Sequence, residues 1–275
     1  MKTPIIALLL TLLISGAVNA LNPSRTYKQK PEKYNMKYEA KKVKTNDGNA
    51  ELNSWYFPAK EKTTNLILIA HNGEGNMADY LKRVDAFLST HNVVIFDYRG
   101  YGESSEFEID NNMYIYPHFQ DDLETMIDHC RKEHVQTFSL YGWGIGGGLT
   151  LGIGYGRTEI KKIIAHTPFL SMEDLEERFE SWDEPMEVPF AGYEKANEAK
   201  TAVTEAPGKN LTGVKLIVGS NDILFTTEDY KTLQKSSPKM INGDIYVVEN
   251  PDRKDNFTID NEAYTKVVLG FLKGK

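Results

Sequence analysis

His71 and His166 each follow an apolar run of strand type, Leu66 to Ala70 and Ile160 to Ala165, and Asp222 follows a third, Lys215 to Val218. Open α/β sheets build their sites at the carboxyl ends of their strands, so two imidazoles and a carboxylate at that edge have the makings of an acid/base or metal cluster. A histidine that caps a strand and an aspartate that forms a turn account for the same residues without any chemistry. Gly142-Trp143-Gly144-Ile145-Gly146-Gly147 satisfies Gly-x-Gly-x-x-Gly between a strand and a helix, the pattern that cradles a dinucleotide. The next strand ends in Ala165-His166-Thr167, with no acid for a ribose, and this argues against that use. Ser104, Ser139 and Ser220 do not sit at turns that would present a nucleophilic oxygen. Cys130 is the only cysteine, lies in an amphipathic helical stretch and has no metal-ligand spacing around it, so a buried thiol is expected and an internal disulfide is excluded.

The elements that must position these residues are legible as alternating runs. Strand patterns fall at Leu66 to Ala70, Val93 to Phe96, Thr137 to Tyr141, Ile160 to Ala165, Lys215 to Val218 and Ile245 to Val248. Helical-length segments separate them, at residues 77 to 90, 118 to 134, 145 to 156, 226 to 236 and 259 to 273. Near-continuous apolar strands alternating with helices predict a mostly parallel central sheet covered on both faces. Ahead of it, alternating stretches around Lys37 to Val43 and Ala50 to Phe57 flank Asp47-Gly48, which predicts an N-terminal β-hairpin. About forty residues separate Phe169 from Gly213, more than one crossover helix requires, so a short lid insertion at about 170–212 is expected. Met172, Leu175, Phe179 and Trp182 form a helical stripe there. Eight of the fifteen residues from Glu173 to Glu187 are acidic, and they read as its solvated face.

Residues 1–20 carry Lys2, an apolar run from Ile5 to Ile14 and the exit Val18-Asn19-Ala20, the composition of a signal peptide cleaved after Ala20. The run is too short to span a bilayer, so no stable membrane insertion is expected and the location is secreted or periplasmic. Residues 21–35, polar and with two prolines, are expected to be a flexible lead-in, and residues 36–275 a single domain. Of the 32 basic side chains one, Lys2, leaves with the signal; 31 remain against 39 acids, a net charge of −8. That balance disfavours nucleic acid as a partner.

Three segments, in order, resemble the α/β-hydrolase superfamily, specifically its serine aminopeptidase-like and Bem-type esterase-like branch. They are Leu66 to Asn76 (LILIAHNGEGN), Asp97 to Ser104 (DYRGYGES) and Leu140 to Gly147 (LYGWGIGG). The resemblance runs from about Lys37 to Leu272 and implies the α/β-hydrolase fold, with Gly142 to Gly146 as its nucleophile elbow. At the apex, where the family carries Ser, Cys or Asp, this chain has Gly144, which has no atom that can attack a carbonyl. By the same resemblance Asp222, in the turn after Lys215 to Gly219, maps to the triad acid, although an ordinary turn-forming role is equally open. The loop from Asn250 to Phe257 has no histidine, and Lys254 falls at the base position. A lysine with a pKa of about 10.4 is a poor general base near neutral pH.

The resemblance also implies an oxyanion site from the backbone N–H groups of Asn72 and Ile145, where Glu74 adds an opposing charge. His71 and His166 are the further candidates for a pocket. No metal and no cofactor is expected. The expectation is thus a pseudoenzyme that binds a small acyl, peptide or anionic ligand, or a protein partner. The alternative is a hydrolase of small esters or amides that uses non-standard residues, among them His71, His166 and Asp222.

Overall fold

β-Branched and aromatic residues alternate between two faces along most of the strands, and the hairpin at Asp47-Gly48 sets the first register, with Gly48 at φ 75° closing the turn. The computed structural model describes residues 21–110, 116–181, 195–206, 208–237, 239–240, 245–249 and 261–274. Its main sheet has eight strands: β1 (Glu39–Lys44), β2 (Glu51–Phe57), β3 (Leu66–Ala70), β4 (Asn92–Phe96), β5 (Phe138–Trp143), β6 (Ile160–His166), β7 (Gly213–Gly219) and β8 (Ile245–Val248). Their spatial order is β1-β2-β4-β3-β5-β6-β7-β8. The pairs β1/β2 and β2/β4 are antiparallel and every other neighbour is parallel.

Seven α-helices are described: α1 (Leu81–Phe87), α2 (His118–Glu133), α3 (Ile145–Gly154), α4 (Met172–Glu180), α5 (Ala199–Glu205), α6 (Thr227–Ser236) and α7 (Asn261–Lys273). Ile67, Ile69, Val93, Ile95, Tyr141 and Ile164 face one way, onto Phe87 of α1 and Tyr264 and Val268 of α7. Leu68, Val94, Leu140, Ile163 and Leu216 face the other way, onto α2 and α3. This is the parallel sheet covered on both sides that the alternation predicts.

In the expected lid, Met172, Leu175 and Phe179 are buried against the body, so that stripe is a packing face; Trp182 lies outside the described residues. Cys130 is buried, which pushes its thiol pKa up. No helix among the described residues is long and apolar enough to cross a membrane.

The motif at Asp97–Ser104 is a scaffold. Arg99 reaches Asp122 of α2 through Nε (2.9 Å) and Nη2 (2.7 Å), and Asp47 of the hairpin turn at 3.3 Å, tying three elements together. The Ser104 hydroxyl donates to the Asp97 carbonyl and accepts the Asn53 N–H, a structural role.

Residues 21–34 correct the expectation of a flexible lead-in, because they are packed on the body. Leu21 is 0 % exposed, and the N–H groups of Asn22 and Ser24 donate to the carbonyls of Gly73 and Gly75 at 2.9 and 2.8 Å. The Tyr27 hydroxyl donates to Asp97 Oδ2 at 2.5 Å and accepts from Asn53 Nδ2 and the Glu103 N–H. The ring of Tyr27 lies 4.9 Å from that of Trp55, and Pro31–Tyr34 forms a short 3₁₀ turn. Polar composition points to disorder only when nothing offsets ordering. Here a buried leucine contributes roughly 1.5–3 kcal/mol and the backbone pairs with a loop. Tyr27→Phe should lower stability by about 1–3 kcal/mol in urea unfolding, since it strips a hydrogen bond from a buried carboxylate; an unchanged midpoint would mean the segment holds nothing.

Candidate functional site

The strand-to-helix bend after β5 is built from glycines that the packing demands and one that it does not. A Cβ at Gly142 would overlap the carbonyl of Gly146, and a Cβ at Gly146 would overlap the carbonyl of Ala70, so both flanks of the bend must be glycine. Gly144, at the apex, has φ 56° and ψ −116°, a backbone region that strains any side chain. Yet a Cβ there would meet only Asn72, at 3.3 Å from its Cβ. The apex is held by its backbone: the Gly144 N–H donates to the His166 carbonyl at 2.9 Å, and its carbonyl accepts from Gly148 and Phe169. Gly144 itself is partly exposed. A sharp, strained turn thus presents only a hydrogen atom at its apex.

Loop 72–75 faces this apex. Asn72, expected to offer its N–H to a ligand, instead donates it to the Tyr80 hydroxyl at 2.9 Å, and the Gly73 N–H donates to His71 Nδ1 at 3.2 Å. That corrects the Asn72 half of the expected oxyanion pair, because the protein supplies its own acceptors. Ile145 opens α3, where helix geometry leaves the first N–H groups without intrahelical acceptors. Burial raises the pKa of Glu74, against the lowering effect of Asn72, so negative charge in this corner is disfavoured.

His71 is fully buried, and burial lowers its pKa to about 3. Since Nδ1 accepts from Gly73, the proton sits on Nε2, which points at Asp97 Oδ1, 3.8 Å away. Asp97 is buried as well; burial raises its pKa to about 7, while the Tyr27 hydroxyl and the Met77 N–H pull the other way. His166 is buried on the α1/α7 side, stacked 5.7 Å from Trp143, with Nδ1 3.2 Å from the Tyr264 hydroxyl. The rings of Tyr80 and Trp143 lie in sequence between the two imidazoles, so His71 and His166 do not form a pair. No group of His, Cys, Asp and Glu among the described residues could hold a metal ion.

Asp222 is buried in the turn after β7, where Oδ1 accepts from the N–H groups of Leu224 (2.9 Å) and Phe225 (3.3 Å). The carboxylate shapes that turn, whatever else it does. Lys254 lies outside the described residues. A surface concavity between α4, α5 and α6 contains none of the expected site residues, and four of its charged side chains pair with one another, Lys200 with Asp174 and Arg178 with Asp229.

Sequence reasoning missed three participants. Leu21 and Tyr27 reach the site from a stretch with no periodicity, so no pattern marked them. Thr167, next to His166, takes φ 41°, a left-handed conformation unusual for a β-branched residue that no local sequence pattern announces. Asp97 was visible inside its motif, but its pairing with His71 was not.

No family model and no curated protein matches the sequence. Solved structures match it in fold. The esterase Pf2001 of Pyrococcus furiosus gives a TM-score of 0.71 at 17 % identity, over 92 % of this chain and 96 % of that one. The alpha/beta hydrolase GrgF from Penicillium sp. sh18 gives 0.61 at 15 % identity, over 86 % and 98 %. Est1E from Butyrivibrio proteoclasticus, solved with ferulic acid bound, gives 0.59 at 16 % identity, over 84 % and 98 %. With the strand order, these likenesses establish the α/β-hydrolase fold.

Proposed function

We propose that this chain is an exported protein of the α/β-hydrolase fold that lacks acyl-enzyme chemistry and acts by binding a small acyl, peptide or anionic ligand, or a protein partner. The observation that carries this reading is Gly144 at the apex of the bend: the strained backbone is retained without an atom to attack a carbonyl. Two further features support it. The N–H groups of Asn72 and Gly73 already have acceptors inside the protein, and Glu74 brings a carboxylate to the corner where negative charge would develop. Export is supported by the composition of residues 1–20, with processing after Ala20.

In a serine protease, loss of the nucleophile costs about six decades, and the roughly 10³–10⁴ over water that survives comes from the oxyanion hole and binding. Here the Asn72 and Gly73 N–H groups already have acceptors, so that remainder is not expected either. The purified chain should therefore turn over short p-nitrophenyl esters and aminoacyl amides at a rate indistinguishable from buffer. Turnover that co-purifies with the protein and is abolished by replacing residues around the bend would overturn the proposal. The rival reading, a hydrolase built on His71, His166 and Asp222, gains nothing from the geometry, since the imidazoles are buried and two rings apart.

A further inference from the structure

Beside the bend, three side chains converge on the α-carbon of Gly73. A Cβ placed there would lie 2.9 Å from Leu21 Cδ2, 3.3 Å from Ile145 Cδ1 and 3.4 Å from the Tyr101 hydroxyl, which donates to the Gly73 carbonyl at 2.8 Å. The space between loop 72–75 and the start of α3 is thus filled by one aliphatic side chain that arrives from a different part of the sequence. Its backbone arrives as a strand: Asn22 pairs in parallel with Glu74, and Pro23 with Gly75. Downstream, Asn76 Nδ2 donates to the carbonyls of Ser24 and Thr26, Arg25 reaches the Tyr101 carbonyl, and Tyr27 ends on buried Asp97. Main-chain pairing, an aliphatic anchor and polar clamps are the means by which a protein holds an extended peptide against a strand-like edge.

We propose that this cleft is a peptide site, one that takes an extended segment headed by an aliphatic side chain, and that the chain's own residues Leu21–Tyr27 are its resident ligand. Processing after Ala20 would make Leu21 the new amino terminus, already inside the site. The proposal commits the ligand class left open above to a peptide, and its pocket does not depend on what Gly144 can or cannot do.

The test uses the chain from Leu21 onward and Leu21→Asp, which places a charge in the apolar anchor position. A synthetic peptide of residues 21–27 with a C-terminal fluorophore should bind the variant at least tenfold more tightly than the unsubstituted chain, whose site is filled. The same peptide with its leucine replaced by aspartate should lose that binding. Equal affinity for the two proteins would overturn the proposal. Should the variant fail to fold, hydrogen exchange on the unsubstituted chain decides. Protected amides at Asn22 and Ser24 support the resident ligand, and exchange at the rate of an unstructured peptide overturns it. Neither measurement reads turnover, so failure here leaves the non-catalytic reading standing, and esterase activity would leave this site standing.

Discussion

Gly142→Ala and Gly146→Ala should each lower the unfolding free energy by on the order of 4 kcal/mol, whereas Gly144→Ala should cost only about 1–3 kcal/mol. The first two methyl groups would be driven into backbone. At Gly142 the obstacle is the Gly146 carbonyl, with the Gly147 nitrogen 2.7 Å away; at Gly146 it is the Ala70 carbonyl, with the His71 carbonyl oxygen at 2.6 Å. Neither obstacle can rotate aside, so relief means separating the buried start of α3 from the sheet. At Gly144 the strain is confined to φ 56°, and the nearest obstacle is the Cβ of Asn72 at 3.3 Å. Urea titrations at a constant m-value measure all three. If Gly144→Ala proved as damaging as its neighbours, packing would explain the apex glycine, and its value as a functional signature would vanish.

Asp97→Asn and His71→Gln should tilt the pH dependence of stability in opposite directions, each by about 2–4 kcal/mol across the acidic range. Burial raises Asp97 from an ordinary 3.8 to about 7, so between those values the folded state binds the extra proton and this group's contribution is lost as pH rises. Burial lowers His71 from 6.5 to about 3, so over nearly the same range the unfolded state binds the extra proton and this contribution is lost as pH falls. In the unsubstituted protein the two slopes largely cancel between about pH 4 and 6.5. Asp97→Asn leaves the histidine slope exposed, and the variant should lose stability on acidification relative to its parent. His71→Gln leaves the carboxylate slope, and that variant should lose stability as pH rises towards 7. Urea midpoints at pH 4.5, 5.5, 7 and 8 check both. Parallel profiles for Asp97→Asn and its parent would show that this buried pair does not titrate as its environment requires.

Much of the architecture was legible in advance because strand burial writes itself into composition. Leu66–Ala70 is apolar throughout and residues 163–165 are the apolar, buried run of Ile160–His166, as a sheet covered on both faces requires; the structure keeps the bounds of the first strand and adds only His166 to the second. The bend was legible for a different reason. Gly142 and Gly146 are the residues that close packing of helix against strand permits, so the motif survives even with an empty apex. His71 and His166 could be placed on one sheet edge but not oriented. Only after folding do Tyr80 and Trp143 separate them, and Asp97 becomes the neighbour of the first.

By itself, the sequence determined the strand and helix order, the hairpin, the position of the bend and the lack of a side chain at its apex, because these depend on local periodicity, turn chemistry and residue identity. Tertiary structure alone decided that the Asn72 N–H is taken by Tyr80, that His71 and Asp97 share a buried corner, and that Leu21 fills the space beside Ile145. The physical reason is range. A residue in an aperiodic segment carries no local sign of the partner it will bury against, and Leu21 meets Gly73 only when the chain has folded back across some fifty positions.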